Sequence, residues 1–235
     1  MKYQRILLKI SGESLGGKSA QGIDTDMLDY FATEIKSAQS KGVQIGVVIG
    51  GGNIFRGMQG AKHGFDRVQG DYMGMLATTI NSMALQGQLE AMGCKAVVLS
   101  GLAIDPICEK MSAKKAIHYL ENGYIVIMSG GTGNPYFTTD SAGALRAIEI
   151  KADVLLKGTR VDGVYDKDPE KYSDAKKFNA LTFDQAYEKG LKIMDMTAFT
   201  LCKENNMSII VFDMNTKENL SKIVEGQTIG TIISK

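Results

Sequence analysis

Two lysines and one aspartate stand out as residues able to handle phosphate. Lys9 lies inside the first apolar run, just before Ser11-Gly12, and Lys157 ends another, Asp153–Leu156. A lysine at the mouth of a buried strand needs a partner or a ligand, unless its stem simply carries the charge out to water. Singly, either reads equally well as a surface lysine. Their joint position beside glycine-rich turns favours function. Two ammonium groups facing a transferring phosphoryl group would neutralise the charge on its equatorial oxygens, which is most of what phosphoryl transfer requires. Asp140, at the start of a predicted helix, is placed to hold both lysines, and helix capping is compatible with that role.

Three strand ends are glycine-rich: Ser11-Gly12, Gly50-Gly51-Gly52-Asn53 and Gly130-Gly131-Thr132-Gly133-Asn134. Glycine lets the backbone approach an anion and aim N–H groups at it, and helices starting after such turns add positive potential. One such turn means little, because glycine also closes ordinary tight turns. Three at one end of one sheet point to phosphate binding.

Gly12–Ser19 (GESLGGKS) also fits the P-loop pattern GxxxxGK[ST], and Ile209–Asp213 could pass for the apolar run and acid of a second nucleotide motif. A P-loop needs its lysine and serine on the first turn of a helix. Here Gly22 follows soon after Ser19, and helix signals begin only at Asp24, so Gly12–Gly22 reads as a flexible loop. The segment from Lys157 to Pro169 reads as a hairpin turned at Asp162-Gly163, then a loop stopped at Pro169. A hairpin alone does not explain the threonine, tyrosine and acids gathered there, which would suit an adenine pocket with an aromatic wall and a few polar groups.

The elements that must position these residues alternate between β-rich runs and helical patterns, the signature of a parallel sheet covered by helices. Strands are expected at Arg5–Ile10, Val43–Ile49, Ala96–Leu99, Tyr124–Met128, Asp153–Leu156, Ser208–Phe212 and Thr228–Ile233. Several are continuously apolar, as strands buried on both faces are. Helical spacing appears over 25–41, 66–92, 113–121, 139–151, 182–189, 195–205 and 216–224. Asp24 or Thr25 caps the first and Gly42 ends it. The helix over 66–92 is apolar on more than one side, so it is central to the core or shared with another subunit.

The 235 residues carry 27 Lys+Arg against 26 Asp+Glu, a net charge of +1 that argues against general nucleic-acid binding. With no repeat or long linker, the chain reads as one domain over 1–235. Cys94, Cys108 and Cys202 form no CxxC pair, and His63 and His118 make no zinc cluster, which fits reduced thiols in a cytoplasm. The apolar run at 4–10 is too short for a signal peptide or membrane span.

Four segments resemble the amino acid kinase superfamily and, within it, the bacterial UMP kinases: Lys9–Glu13, Gly50–Gly57, Gly131–Asp140 and Lys157–Tyr165. The resemblance covers essentially the whole chain. It implies an α/β/α sandwich of the eight-stranded type with a mostly parallel central sheet, and transfer of the ATP γ-phosphoryl group to UMP. It implies that Lys9, Ile10, Ser11, Gly12, Gly52, Arg56, Thr159, Tyr165 and Asp168 meet ATP. UMP would meet Gly51, Asp71 (at the ribose hydroxyls), Thr132, Gly133, Asn134, Pro135, Tyr136, Phe137, Thr138 and Thr139. Lys9, Lys157 and Asp140 become the catalytic group. Mg²⁺ is expected to arrive on the ATP phosphates, with no protein metal site. Family members form homohexamers, activated by GTP and inhibited by UTP, and Gly17, Lys18, Ser19, Ala20, Gln21 and Gly22 match the region assigned to GTP activation. Three other readings stand beside this one: a P-loop NTPase using Lys18 and Ser19, a non-catalytic nucleotide- or oxyanion-binding protein of the same fold, and an acid-phosphorylating relative that would not need Arg56 and Asp71.

Overall fold

The computed structural model describes residues 2–56 and 66–235; Gly57 and His63 lie outside them. In chain order the strands are β1 (Arg5–Ile10), β2 (Gln44–Ile49), β3 (Ala96–Ser100), β4 (Glu109–Lys110), β5 (Ile125–Ser129), β6 (Val154–Thr159), β7 (Val164–Tyr165), β8 (Lys177–Phe178), β9 (Ala180–Thr182), β10 (Ile209–Asp213) and β11 (Thr231–Ser234). The helices are α1 (Gly12–Leu15), α2 (Thr25–Gln39), α3 (Arg67–Ala91), α4 (Ala113–Glu121), α5 (Thr139–Glu149), α6 (Phe183–Glu188), α7 (Met196–Glu204) and α8 (Asn219–Glu225). Nine strands form one sheet in the order β4-β3-β5-β2-β1-β6-β10-β11-β9. Only β10 and β11 pair antiparallel in it.

Side-chain parity along β1 divides the core. Ile6, Leu8 and Ile10 pack with α2, α3 and α8, whereas Leu7 packs with α4, α5, α6 and α7 on the other face. A strand buried on both faces must be apolar throughout, which is why these runs read as continuous. Lys9 has the parity of Leu7 and Lys157 that of Leu155, so both lysines point to the α5 face. The strand register sets them directly opposite each other. Helix α5 begins where it does because the Thr138 side chain accepts from the N–H groups of Asp140 and Ser141, at 3.1 and 3.2 Å. Asp24 does the same for α2, accepting from Asp26 and Met27.

The long helix contributes one side to the core. Leu85 and Leu89 are fully buried against the sheet, while Tyr72, Leu76, Ile80 and Met83 remain exposed on its other side.

Four expectations need correction. The sheet has nine strands rather than eight, with the very short β4 and β9 at its two edges. Lys157 lies within β6, which runs on to Thr159 instead of stopping at Leu156. Asp162-Gly163 does not turn a hairpin back onto that strand. Thr159 Oγ1 donates to Val161 O at 2.7 Å and bends the chain away, and β7 pairs antiparallel with β8 in a separate ribbon. Finally, Gly12–Gly22 is not a flexible loop. It folds as α1, a 3₁₀ turn (Gly17–Ser19) and a left-handed Ala20 at φ 54°. Asn53 holds its far end, its N–H₂ group donating to Gly22 O at 2.6 Å while its own carbonyl accepts from Gly22 N–H at 2.9 Å.

Candidate active site

Parallel strands leave a crevice at their C-terminal ends, deepest where successive connections part to opposite sides. Here the chain leaves β1 for β2 on one side and later reaches β6 on the other. The ends of β1 and β2 come very close. A methyl group on Gly12 would lie 2.3 Å from Gly50 O, so no other residue fits there.

At this point Asp140 stands between the two lysines. Its Oδ1 forms an ion pair with Lys9 Nζ at 2.9 Å, and its Oδ2 accepts from Lys157 Nζ at 2.7 Å. Lys157 also donates to Ile193 O at 2.6 Å. The stem of Lys9 runs over Gly143 of α5, where a methyl would sit 3.5 Å from Lys9 Cγ. All three side chains are largely buried, with 13%, 14% and 17% exposure for Lys9, Lys157 and Asp140. Burial pushes the Asp140 carboxyl up, but the two lysine charges and the hydrogen bonds outweigh it and hold the group below the usual range. For Lys157 burial wins. It lowers the ammonium against the pull of Asp140, and the neighbouring Lys9 charge lowers it further.

Two cavities lie near this cluster, the larger walled by both lysines and the smaller by Thr139, the residue before Asp140. The larger, of about 1170 Å³, is lined by Lys9, Lys157, Ser11 and Thr159 together with Gly17, Lys18, Ser19 and Ala20. The smaller, of about 240 Å³, is lined by Gly51, Asp71, Thr132, Asn134, Phe137, Thr138 and Thr139. Gly52 and Arg56, expected to meet ATP, also line this smaller cavity. Asp71 accepts from the backbone N–H of Tyr136 at 2.7 Å and pairs with Arg67 at 2.8 Å. That ties the start of α3 to the glycine-rich turn after β5.

The matched family model now decides the class. A model described as the amino acid kinase family matches residues 4–213. The chain belongs to the amino acid kinase family. Within that family it is 60% identical to a uridylate kinase of Bacteroides thetaiotaomicron over 232 residues, covering 99% of this chain and 98% of that protein. It is 56% identical to a uridylate kinase of Porphyromonas gingivalis, with coverages of 99% and 97%. The crystal structure of a UMP kinase from Bacillus anthracis superposes with a TM-score of 0.96 at 35% identity, covering 100% of this chain and 97% of that one. A UMP kinase structure from Ureaplasma parvum gives 0.93 at 38% identity, with complete coverage of both chains.

Not every residue expected at the site of this kinase fold lies beside a cavity. The Ile10 side chain is buried in the core of the α2 face. Tyr165 donates from its hydroxyl to Asp162 Oδ1 at 2.6 Å, and Asp168 pairs with Lys171 at 3.3 Å, so both belong to the ribbon and its loop. Tyr136 is 67% exposed with φ +72°, and it joins the site through its backbone. Gly133, Pro135, Gln21 and Gly22 shape their turns without lining either cavity.

Sequence reasoning missed two acids. Glu13 lines the larger cavity and forms an ion pair with Arg56 of the smaller, so one bridge spans both. Asp195 accepts from the Thr138 hydroxyl and, at 3.0 Å, from that of Ser141, while also capping α7. The only signal in the sequence was an aspartate at the first position of the expected 195–205 helix, which by itself suggests no more than a cap. Together with burial, Asp140 and Asp195 push the nearby Cys202 thiol up to about 12, with burial the largest cause, so this cysteine is an inert core residue. The P-loop reading fails on geometry. Lys18 and Ser19 sit on a three-residue 3₁₀ turn, not on the first turn of the helix that a phosphate nest requires.

Proposed function

We propose that this chain, as a single amino acid kinase domain, catalyses transfer of the γ-phosphoryl group of ATP to UMP, giving ADP and UDP. The observation that carries this reading is the Lys9–Asp140–Lys157 cluster, with both lysines on the wall of the larger cavity and Asp140 next in sequence to Thr139 of the smaller. The larger cavity takes ATP and the smaller takes UMP, whose ribose hydroxyls donate to Asp71. A UMP phosphate oxygen attacks the γ-phosphorus. The bond from that phosphorus to the β–γ bridging oxygen breaks, and its electron pair leaves on ADP. The attacking oxygen is already ionised at neutral pH, so no general base is required. Lys9 and Lys157 offset the charge on the equatorial oxygens, in fixed positions that need no reorganisation during transfer. Asp140 keeps the two ammonium groups apart and aimed.

Both Asp140 oxygens are taken by lysines. This supports Mg²⁺ entering on the ATP phosphates as part of the substrate, rather than on this carboxylate. The exposed Tyr72, Leu76, Ile80 and Met83 stripe on α3 supports assembly, which we read as a homohexamer. GTP activation and UTP inhibition belong to the same reading, with UTP competing through its uridine for the smaller cavity. The unpaired cysteines fit a reducing cytoplasm. Among the described residues no helix is long and apolar enough to cross a membrane.

A coupled ADP-release assay with Mg-ATP tests the proposal, offering UMP, CMP, dUMP, acetylglutamate and aspartate separately. Turnover with UMP, lost in Lys157→Ala and kept in Lys18→Ala, is the expected result. Turnover with an amino acid instead would sink the substrate and keep the fold. Binding of nucleotide without any turnover would favour a non-catalytic relative.

A further inference from the structure

The mechanism leaves Lys18 without a role, although its segment imitates a phosphate-binding loop. The structure places Lys18 on the wall of the larger cavity, in company with Lys9 and Lys157. The other cations on that wall are engaged. Lys9 and Lys157 share the Asp140 carboxylate, leaving one net positive charge between them. Arg160 holds Glu170 through two hydrogen bonds of 2.8 Å. Among the described residues, no hydrogen bond or ion pair engages the Lys18 ammonium. A triphosphate carries more negative charge than the Lys9–Asp140–Lys157 cluster offsets.

The backbone beneath Lys18 is fixed while its side chain is free. Ala20 N–H donates to Gly17 O at 3.2 Å, and the Ser19 hydroxyl donates to Gly16 O at 2.8 Å. Buried Asn53 clasps Gly22 from the opposite strand end. Among the described residues, none of the acids on the same wall forms an ion pair with Lys18. Glu13 is bound to Arg56, and Asp24 Oδ1 accepts two backbone N–H groups as the cap of α2. Asp26 sits in the first turn of α2, where the helix dipole holds negative charge. A lysine anchored at its Cα with a free ammonium is suited to a mobile anion, because it acts as a point charge on a flexible stem.

We propose that Lys18 binds the polyphosphate of the donor nucleotide, as an affinity determinant that takes no part in the chemical step. This rests on the assignment of the larger cavity to ATP, and it differs from a regulatory role for Gly17–Gly22. The lysine of the P-loop look-alike thus meets phosphate through its side chain alone, without the nest of backbone N–H groups.

Steady-state kinetics and ligand titration on the intact protein test this. Lys18→Ala should raise the KM for ATP about two- to fivefold, with kcat and the KM for UMP unchanged. Lys18→Glu should raise it further, and Lys18→Arg should restore it. The difference should shrink as salt rises, because the ammonium is exposed to screening. In titrations monitored by calorimetry, ADP should bind Lys18→Ala more weakly than wild type, whereas adenosine should bind both alike. Equal ADP affinities would overturn the proposal, as would a change confined to the response to GTP. If wild type binds ADP but does not phosphorylate UMP, the function reading falls and the ADP–adenosine comparison still decides Lys18. Absence of ADP binding by wild type would overturn both.

Discussion

Two charged regions lie within a few residues of each other, and they are built on opposite terms. At the mouth of β1 and β6, Lys9, Lys157 and Asp140 are largely removed from water and touch one another directly. Just beyond β6, Arg160 and Glu170 form a bidentate pair with 71% and 51% exposure, and Lys177 pairs with Asp162 at 2.9 Å. Both regions pair basic with acidic side chains, but the surroundings differ. Exposed pairs exchange water for each other at little net gain, whereas a buried charge without its partner is costly. The buried group must therefore be complete to be tolerated, and its rigidity is what phosphoryl transfer uses. The exposed pairs can form and break at little cost.

Removing Lys157 should break the comparison most severely. Lys157→Ala should lower kcat about a hundred- to a thousandfold in the ADP-release assay, with little change in ATP binding. Asp140→Asn should come next, because it leaves two ammonium groups facing each other. Its unfolding free energy, from urea denaturation, should fall by about 3 kcal/mol, and turnover should fall with it. The pH dependence has a definite sign. Asp140 titrates below its ordinary 3.8 in the folded chain, so its contribution is fully present above that value. It is lost as pH falls through the lower folded value. The gap in stability between wild type and Asp140→Asn should therefore close on acidification below about pH 4. A constant gap down to acid unfolding would mean that the carboxylate charge is not what stabilises the cluster.

Gly143 sharpens the comparison from the helix side. A methyl there meets Lys9 at ordinary contact distance, so Gly143→Ala should be tolerated. Gly143→Val should displace the Lys9 stem and reduce kcat about tenfold, with ATP affinity largely retained. The smallest effect belongs to the exposed pair. Arg160→Ala should change stability by less than about 0.5 kcal/mol. A larger loss would mean that the ribbon is bound to the core more tightly than its exposure implies.

The same contrast governs what could be read from residues alone. Lys9 and Lys157 were legible because each interrupts an apolar run, and strand parity then put both on one face. The seven longer sheet strands followed from apolar β-rich runs, and the seven helices from α2 to α8 from helical spacing. The ribbon was not legible. Strands of two residues carry no period, and β7 is placed by Thr231, which accepts from Val164 N–H at 2.8 Å across 67 positions. The shape of Gly12–Gly22 depends on Asn53, which is remote in sequence but adjacent once β1 and β2 pair. Glu13 and Asp195 escaped for the same reason, since their partners Arg56, Thr138 and Ser141 come near only in the folded chain.

The place of β1 in the sheet has a consequence for how the molecule comes apart. It is the fifth of nine strands, with β6 beside it, so four strands flank it on either side. Fraying begins at edges, here the two- and three-residue β4 and β9, and must pass through several paired strands before it reaches the centre. In native-state hydrogen exchange, the amides of Lys9 and Lys157 should open only with global unfolding, while the ribbon and the 3₁₀ turn exchange early. A population that has lost its rim can therefore keep its phosphate-handling centre intact, so substrate affinity should fade under mild denaturant before the lysines lose their register.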